Sequence, residues 1–231
     1  MLVESKINGK QWLWVNIPKT ASTTMMKTFF PEMKYNAQIH NPYNELEQQF
    51  GIRDVFTVVR HPVTRFMSGL NHIFSVCECN TCIVEASKSP TTEDVILFLK
   101  DVLYLKQNTH NFFQTLYKNN VNTLYLDIVK SFQKIFYKKI LIGNVHCVRW
   151  TLVMSQNFML NGANNVKLFK YENIEECFKF INTELGYIVA TERFRNYTNK
   201  VSNVDVNNST LRTLIYELHK EDFKLYGYDI C

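Results

Sequence analysis

Residues 12–25 read WLWVNIPKTASTTM, and residues 55–69 read VFTVVRHPVTRFMSG. Each is a β-prone run that ends in a polar turn suited to an anion and then enters a helix-compatible segment. In the first, Trp12, Leu13, Trp14, Val15 and Ile17 suit a buried strand. Pro18 stops it, and Lys19, Thr20, Ser22, Thr23 and Thr24 crowd the bend. From Ser22 the run STTMMKTFF is helix-compatible as far as Pro31. A helix start presents unpaired backbone N–H groups and the positive end of a dipole, both suited to phosphate or sulfate. In the second stretch Asp54–Val59 reads as a strand, Arg60 stands at its end, and Pro62 suits the first turn of a helix. Arg65 and Ser68 follow roughly one and two turns along it, so Arg60, Arg65 and Ser68 are expected to converge on a second anion. Two such sites at the ends of neighbouring strands imply a ligand with phosphates at both of its ends.

Each stretch alone also has a plain reading: capping and solvation for PKTASTT, surface ion pairs for Arg60 and Arg65, an ordinary helix position for Ser68. The two in this order are the stronger signal. The Gly-rich phosphate loop of ATPases, G-x-x-x-x-G-K-[ST], is absent.

The chain of 231 residues is 46% hydrophobic and 14% aromatic, enough for one sizeable core, and 7 Gly and 5 Pro leave little room for linkers. A single domain over 1–231 is expected, mostly helical over 76–164. The net charge of +5 fits an anionic cofactor or an acidic acceptor. No Lys/Arg run has the density of a nucleic-acid surface, and no apolar run reaches the roughly 18–20 residues of a membrane span. The opening MLVESKINGKQ has no signal-type apolar core.

Strand and helix alternate from residue 12 to residue 74, with further elements expected at 34–39 (strand) and 43–50 (helix). That alternation implies a parallel sheet covered by helices on both faces, whose ligands bind beyond the carboxyl ends of the strands. Downstream, Thr91-Thr-Glu-Asp opens a helix over 92–105 in capping-box style. Helices are expected at 108–118, 128–139, 147–160, 174–185 and 209–225, and a strand at 165–171; residues 121–126 read equally as strand or helix start.

IPKTASTTM resembles the 5′-phosphosulfate-binding loop of PAPS-dependent sulfotransferases, especially the Golgi-type carbohydrate and heparan-sulfate 2-O-sulfotransferase-like families. FTVVRHPVTRFMSG is similar to their 3′-phosphate motif, in which an Arg ends a strand and a Ser follows eight positions later, as Arg60 and Ser68 do here. VKLFKYENIEECFKFINTELG (166–186) resembles the family's strand, Tyr-Glu-(Asn/Asp) turn and helix, and EDFKLYGYD (221–229) its C-terminal helix and aromatic tail. Residues 77–164 match poorly. The resemblance implies a P-loop-like sulfotransferase fold, PAPS as donor and PAP as product, no metal, and a hydroxyl acceptor, with carbohydrate first and tyrosine or lipid behind it. Members of the Golgi families carry an N-terminal anchor; the expected location here is cytoplasmic, with an anchor-trimmed Golgi-lumen domain as the alternative.

On that basis Lys19 is expected to touch the leaving group, and Thr20, Ala21, Ser22, Thr23 and Thr24 to cradle the 5′-phosphate. Arg60 and Ser68 are expected to hold the 3′-phosphate, with Arg65 or Lys200 as helpers. Sulfuryl transfer asks the protein chiefly for positioning and electrostatics. His40 is the candidate general base, because it follows an expected strand between the two motifs and titrates near working pH; its plain reading is a cap on the following turn. Glu32 and His72 are fallback bases, and His61, Tyr171 and Glu172 read as structural. Cys77, Cys79 and Cys82 form C-E-C-N-T-C; free thiols are favoured over a disulfide, also open to Cys147 or Cys177, or a zinc set with His72. The sequons at Asn196, Asn207 and Asn208 read as chance in an Asn-rich chain. The rival functional readings are a P-loop-like nucleotide kinase and a non-catalytic binding protein of the same fold.

Overall fold

The computed structural model describes residues 1–30, 40–74, 89–118, 122–136, 148–188 and 203–230. They fall into two compact units, the first Met1–His61 with Gln156–Tyr197, the second Pro62–Ser155 with Thr198–Cys231.

The first unit is an α/β layer structure. Strands β1 (Leu2–Glu4), β2 (Gln11–Trp14), β3 (Asp54–Val59) and β4 (Val166–Lys170) form one sheet in the order β1-β2-β3-β4. β2, β3 and β4 are mutually parallel, with Leu13 opposite Val55 and Val59 opposite Lys170, whereas β1 runs antiparallel to β2. The sheet is therefore mostly, not wholly, parallel, and β1 is an edge that sequence reading did not foresee. The β2 ladder is shorter than expected from WLWVNI, because the chain must leave the sheet before Pro18, which has no N–H to give. Val15 still donates to Phe56 O at 3.2 Å, and its own carbonyl accepts from Thr57 Oγ1 at 2.7 Å.

Helices α1 (Ser22–Phe29) and α2 (Tyr43–Phe50) follow the expected bounds. α1 turns Met25, Met26 and Phe29 onto the sheet face carrying Trp14, Phe56, Val58 and Phe169, where Cys177, Phe178, Phe180 and Ile181 of α8 (Ile174–Thr183) join them. Trp14 stacks on Phe56 at 6.2 Å, and Phe180 meets Phe56 and Phe169 at 5.6 and 5.4 Å. Such rings supply large apolar areas plus edge-on attraction. Burial drives the Cys177 thiol up to about 12, so it is an inert core group. The short α7 (Gln156–Leu160) completes this unit.

The second unit is helical: α3 (Pro62–Phe74), α4 (Thr92–Gln107), α5 (Phe112–Lys118), α6 (Thr123–Phe136), a π-turn at Arg149–Val153 and α9 (Ser209–Tyr226). Thr91 and Asp94 make the expected capping box. The ambiguous 121–126 segment enters a helix, with Asn122 Oδ1 accepting from Tyr125 N at 2.7 Å. Asn208 accepts from Leu211 N and caps α9, so one sequon asparagine has a structural task.

The single helix expected over 147–160 is instead two pieces, broken where Met154 turns extended. The break strands main-chain carbonyls in the interior. Arg65, only 1% exposed, donates to Trp150 O and Met154 O at 2.9 and 3.0 Å. His219 Nε2 serves Leu152 O at 3.2 Å. α9 is itself kinked at His219, and Lys106 Nζ donates to the Glu217 and Leu218 carbonyls beside the kink, at 2.9 and 2.8 Å. Asp222 lies beside His219 and Lys106, accepting from Ser155 Oγ at 2.7 Å. Arg65 is thus neither the anion helper nor the surface ion pair expected from sequence; its fork is committed to buried carbonyls, which demand partners away from water.

No helix among the described residues is long and apolar enough to cross a membrane. The 34–39 strand, Glu32, Cys77, Cys79, Cys82, Cys147 and Lys200 lie outside the described residues. Elsewhere no cluster of His, Cys, Asp and Glu has the makings of a metal site among the described residues.

Burial, then the nearby Arg65 charge, lowers the His219 imidazole to about 3 from its ordinary 6.5. The unfolded chain takes a proton that the folded state refuses, so this contribution is complete above about pH 6.5. It shrinks as pH falls toward about 3, by up to about 1.4 kcal/mol per pH unit. Urea denaturation at about pH 7 and about pH 4.5 should show a larger loss for the native chain than for His219→Gln, which keeps a donor and takes no proton. Equal losses would remove His219 from the acid response.

Candidate functional site

The carboxyl ends of β2, β3 and β4 carry the groups that chemistry would use. After β2 the chain makes a compact bend at Asn16–Ala21 in which Lys19 (φ 67°) and Ala21 (φ 81°) both adopt left-handed backbone. The other positive-φ residues besides glycine, among those described, are Asn111 and Asn165, a residue type that tolerates this region. Lys and Ala do not, and a left-handed conformation costs each roughly 1–2 kcal/mol. Backbone strain of this kind gathers at functional loops.

The bend is held from inside. Thr20 Oγ1 donates to Ile17 O at 2.7 Å, and Ser22 Oγ reaches both Asn16 Oδ1 and Ile17 O. Both side chains are buried. The hydroxyls of Thr20 and Ser22 therefore face the protein rather than a ligand, contrary to the sequence expectation, and these residues have only backbone N–H groups to offer an anion. α1 begins at Ser22 with Ala21 as N-cap, which supplies no side-chain cap, and its first turn contains no acidic residue. The dipole's positive end is left to Lys19, Thr23, Thr24 and the main chain.

Arg60 follows β3 directly. Its main chain is pinned by the fully buried Gln156, whose Oε1 accepts Arg60 N at 2.9 Å and whose Nε2 donates to Arg60 O at 2.8 Å. The Gln156 amide thus extends the ladder by one residue where no strand remains. Since Val59 lies opposite Lys170, the next residues along, Arg60 and Tyr171, are neighbours, and the guanidinium sits 4.2 Å over the Tyr171 ring. Glu172 Oε1 accepts His61 N at 2.9 Å. Arg60 Nη1 then donates to Lys19 O at 3.3 Å, tying the end of β3 to the bend after β2.

His40 joins the same group through Nδ1, 2.9 Å from Asn16 O. A carbonyl can only accept, so Nδ1 carries the proton and the basic lone pair is at Nε2. Lys19, Thr20, Ala21, Ser22, Thr23, Thr24, His40 and Arg60 all belong to the first unit. Ser68 and the fallback base His72 lie on α3 in the second unit, both half-buried. Sequence reasoning missed Gln156 and Asn16; the signal was an amide set inside an apolar run, Asn16 alone in WLWVNIP and Gln156 beside Asn157 in LVMSQNFML.

An open groove lies at the opposite, amino-terminal ends of the strands, lined by Lys10, Gln11, Arg53, Asp54, Asn164 and Asn165. A Lys10–Asp54 ion pair at 2.5 Å crosses it.

No family model matches the chain, and no curated protein and no solved structure matches it.

Replacing Gln156 by Leu strips both partners from the Arg60 main chain in a buried setting. Each orphaned group costs about 1–3 kcal/mol, so denaturant titration should show a loss of at least about 2 kcal/mol. A change below about 0.5 kcal/mol would mean that the amide does not hold the end of β3.

Proposed function

We propose that this chain is a PAPS-dependent sulfotransferase that moves the sulfuryl group to a hydroxyl acceptor, with a carbohydrate as the first candidate. The observation that carries this reading is the Arg60–Lys19 tie, which gathers two basic, anion-suited turns of adjacent parallel strands in one place. Ligands in open α/β sheets bind beyond such strand ends. The mostly parallel sheet is compatible with a P-loop-like sulfotransferase fold.

The residues present suit a bis-anionic nucleotide. The strained bend, a helix start lacking an acidic or capping side chain, and the basic residues Lys19 and Arg60 support that reading. When bound, PAPS supplies the sulfuryl group and departs as PAP. Thr20 to Thr24 hold its 5′-phosphate mainly through backbone N–H groups, and Lys19 offsets the charge that develops on the leaving oxygen. Arg60, stiffened by Tyr171 and Gln156, grips the 3′-phosphate. His40 accepts the acceptor's proton at Nε2, with its tautomer set by the Asn16 carbonyl.

PAP should raise the melting temperature, as a ligand selective for the folded state does; stabilisation by ATP with Mg²⁺ instead would favour a nucleotide kinase, and by neither a binding protein of another kind. Lys19→Ala should abolish transfer of labelled sulfate with an unchanged circular dichroism spectrum. His40→Ala should reduce kcat by about 10²–10⁴-fold with PAP affinity retained; a loss confined to affinity would make His40 a binding residue.

A further inference from the structure

Asn16 opens the bend and touches both His40 and Ser22. It is 2% exposed. Its main-chain carbonyl faces His40 Nδ1 at 2.9 Å, and its side-chain Oδ1 takes the Ser22 hydroxyl. The other side-chain polar atom, Nδ2, is buried with no hydrogen-bond partner among the described residues. Buried amide donors without partners are rare in folded proteins, because desolvating an N–H without replacing its water bond is unfavourable.

The position of this orphan is informative. Nδ2 shares its carbon with Oδ1, and Oδ1 is fixed on Ser22, the first residue of α1. The unmatched donor is therefore held at the one helix start in the first unit where strained backbone, an uncapped first turn and Lys19 already suit an oxyanion. An amide with one half engaged and the other unmatched is what a site completed by its ligand requires.

We propose that Asn16 is a ligand-binding residue whose side-chain N–H donates to a phosphate or sulfate oxygen seated on the first turn of α1. The inference rests on the reading of this bend as the 5′-phosphate end of a PAP site. It also makes Asn16 the link between the two halves of the chemistry, since its carbonyl orients the base while its amide meets the anion.

A double-mutant cycle separates direct contact from support given through Ser22. Isothermal titration with PAP would compare the native chain, Asn16→Ala, Ser22→Ala and the double variant. Asn16→Ala should weaken PAP by about tenfold or more, the scale of a hydrogen bond to a charged group, and should do so again on the Ser22→Ala background. Loss of the Asn16 effect on that background would reduce Asn16 to a brace for Ser22 and overturn the proposal. If the alanine variants do not fold, the native chain decides it: on adding PAP the Asn16 side-chain amide resonances should shift and their hydrogen exchange slow. Unmoved resonances at saturating PAP would also overturn it. Failure of the native chain to bind PAP at all would sink the parent reading instead, so the two failures are distinguishable.

Discussion

A β-strand that ends inside a protein leaves its last N–H and C=O without a ladder, and here the chain meets that demand with a side chain. Gln156 presents its amide to both main-chain groups of Arg60 and so prolongs β3 by one residue. That residue then has a defined direction. Its guanidinium rests on Tyr171, brought alongside by the β3–β4 register, and reaches the carbonyl of Lys19. Without the amide, Arg60 would begin a solvated loop and would lose its orientation toward the bend after β2.

The same rule, that interior main-chain groups need partners, shapes the second unit on a larger scale. A π-turn and a kinked helix expose carbonyls that regular helices would have bonded internally. Arg65, Lys106 and His219 answer them, with Asp222 among these groups. Burying these carbonyls is tolerable because each has a donor, although His219 Nδ1 has no hydrogen-bond partner among the described residues. The arrangement also keeps His219 neutral, which ties this unit's stability to pH.

At the strand ends the logic runs the other way. Thr20 and Ser22 are turned inward to hold a strained bend, and α1 starts there with no side-chain cap and no acidic residue in its first turn. On the proposed reading, such a site would recognise charge and shape rather than any particular hydroxyl pattern. It suits transfer chemistry in which the protein positions a nucleotide and supplies little covalent work of its own. The Asn16 carbonyl sets the tautomer of His40 beside the same bend.

Local sequence alone determined a good deal. The apolar runs ending at Pro18 and Arg60, the helix bounds at Ser22, Tyr43 and Pro62, and the Thr91 capping box all follow from periodicity and capping, which act over a few neighbouring residues. The gathering of Lys19, Arg60 and His40 at the strand ends was legible in outline, because parallel strands place their carboxyl ends together. What only the tertiary structure decided involves partners distant in the chain. Gln156 finds Arg60 across 96 residues, and Arg65 finds its carbonyls across 85 and 89. Whether an arginine meets an anion or a stranded carbonyl depends on which main-chain groups lose their partners on folding, and no local pattern of residue types records that.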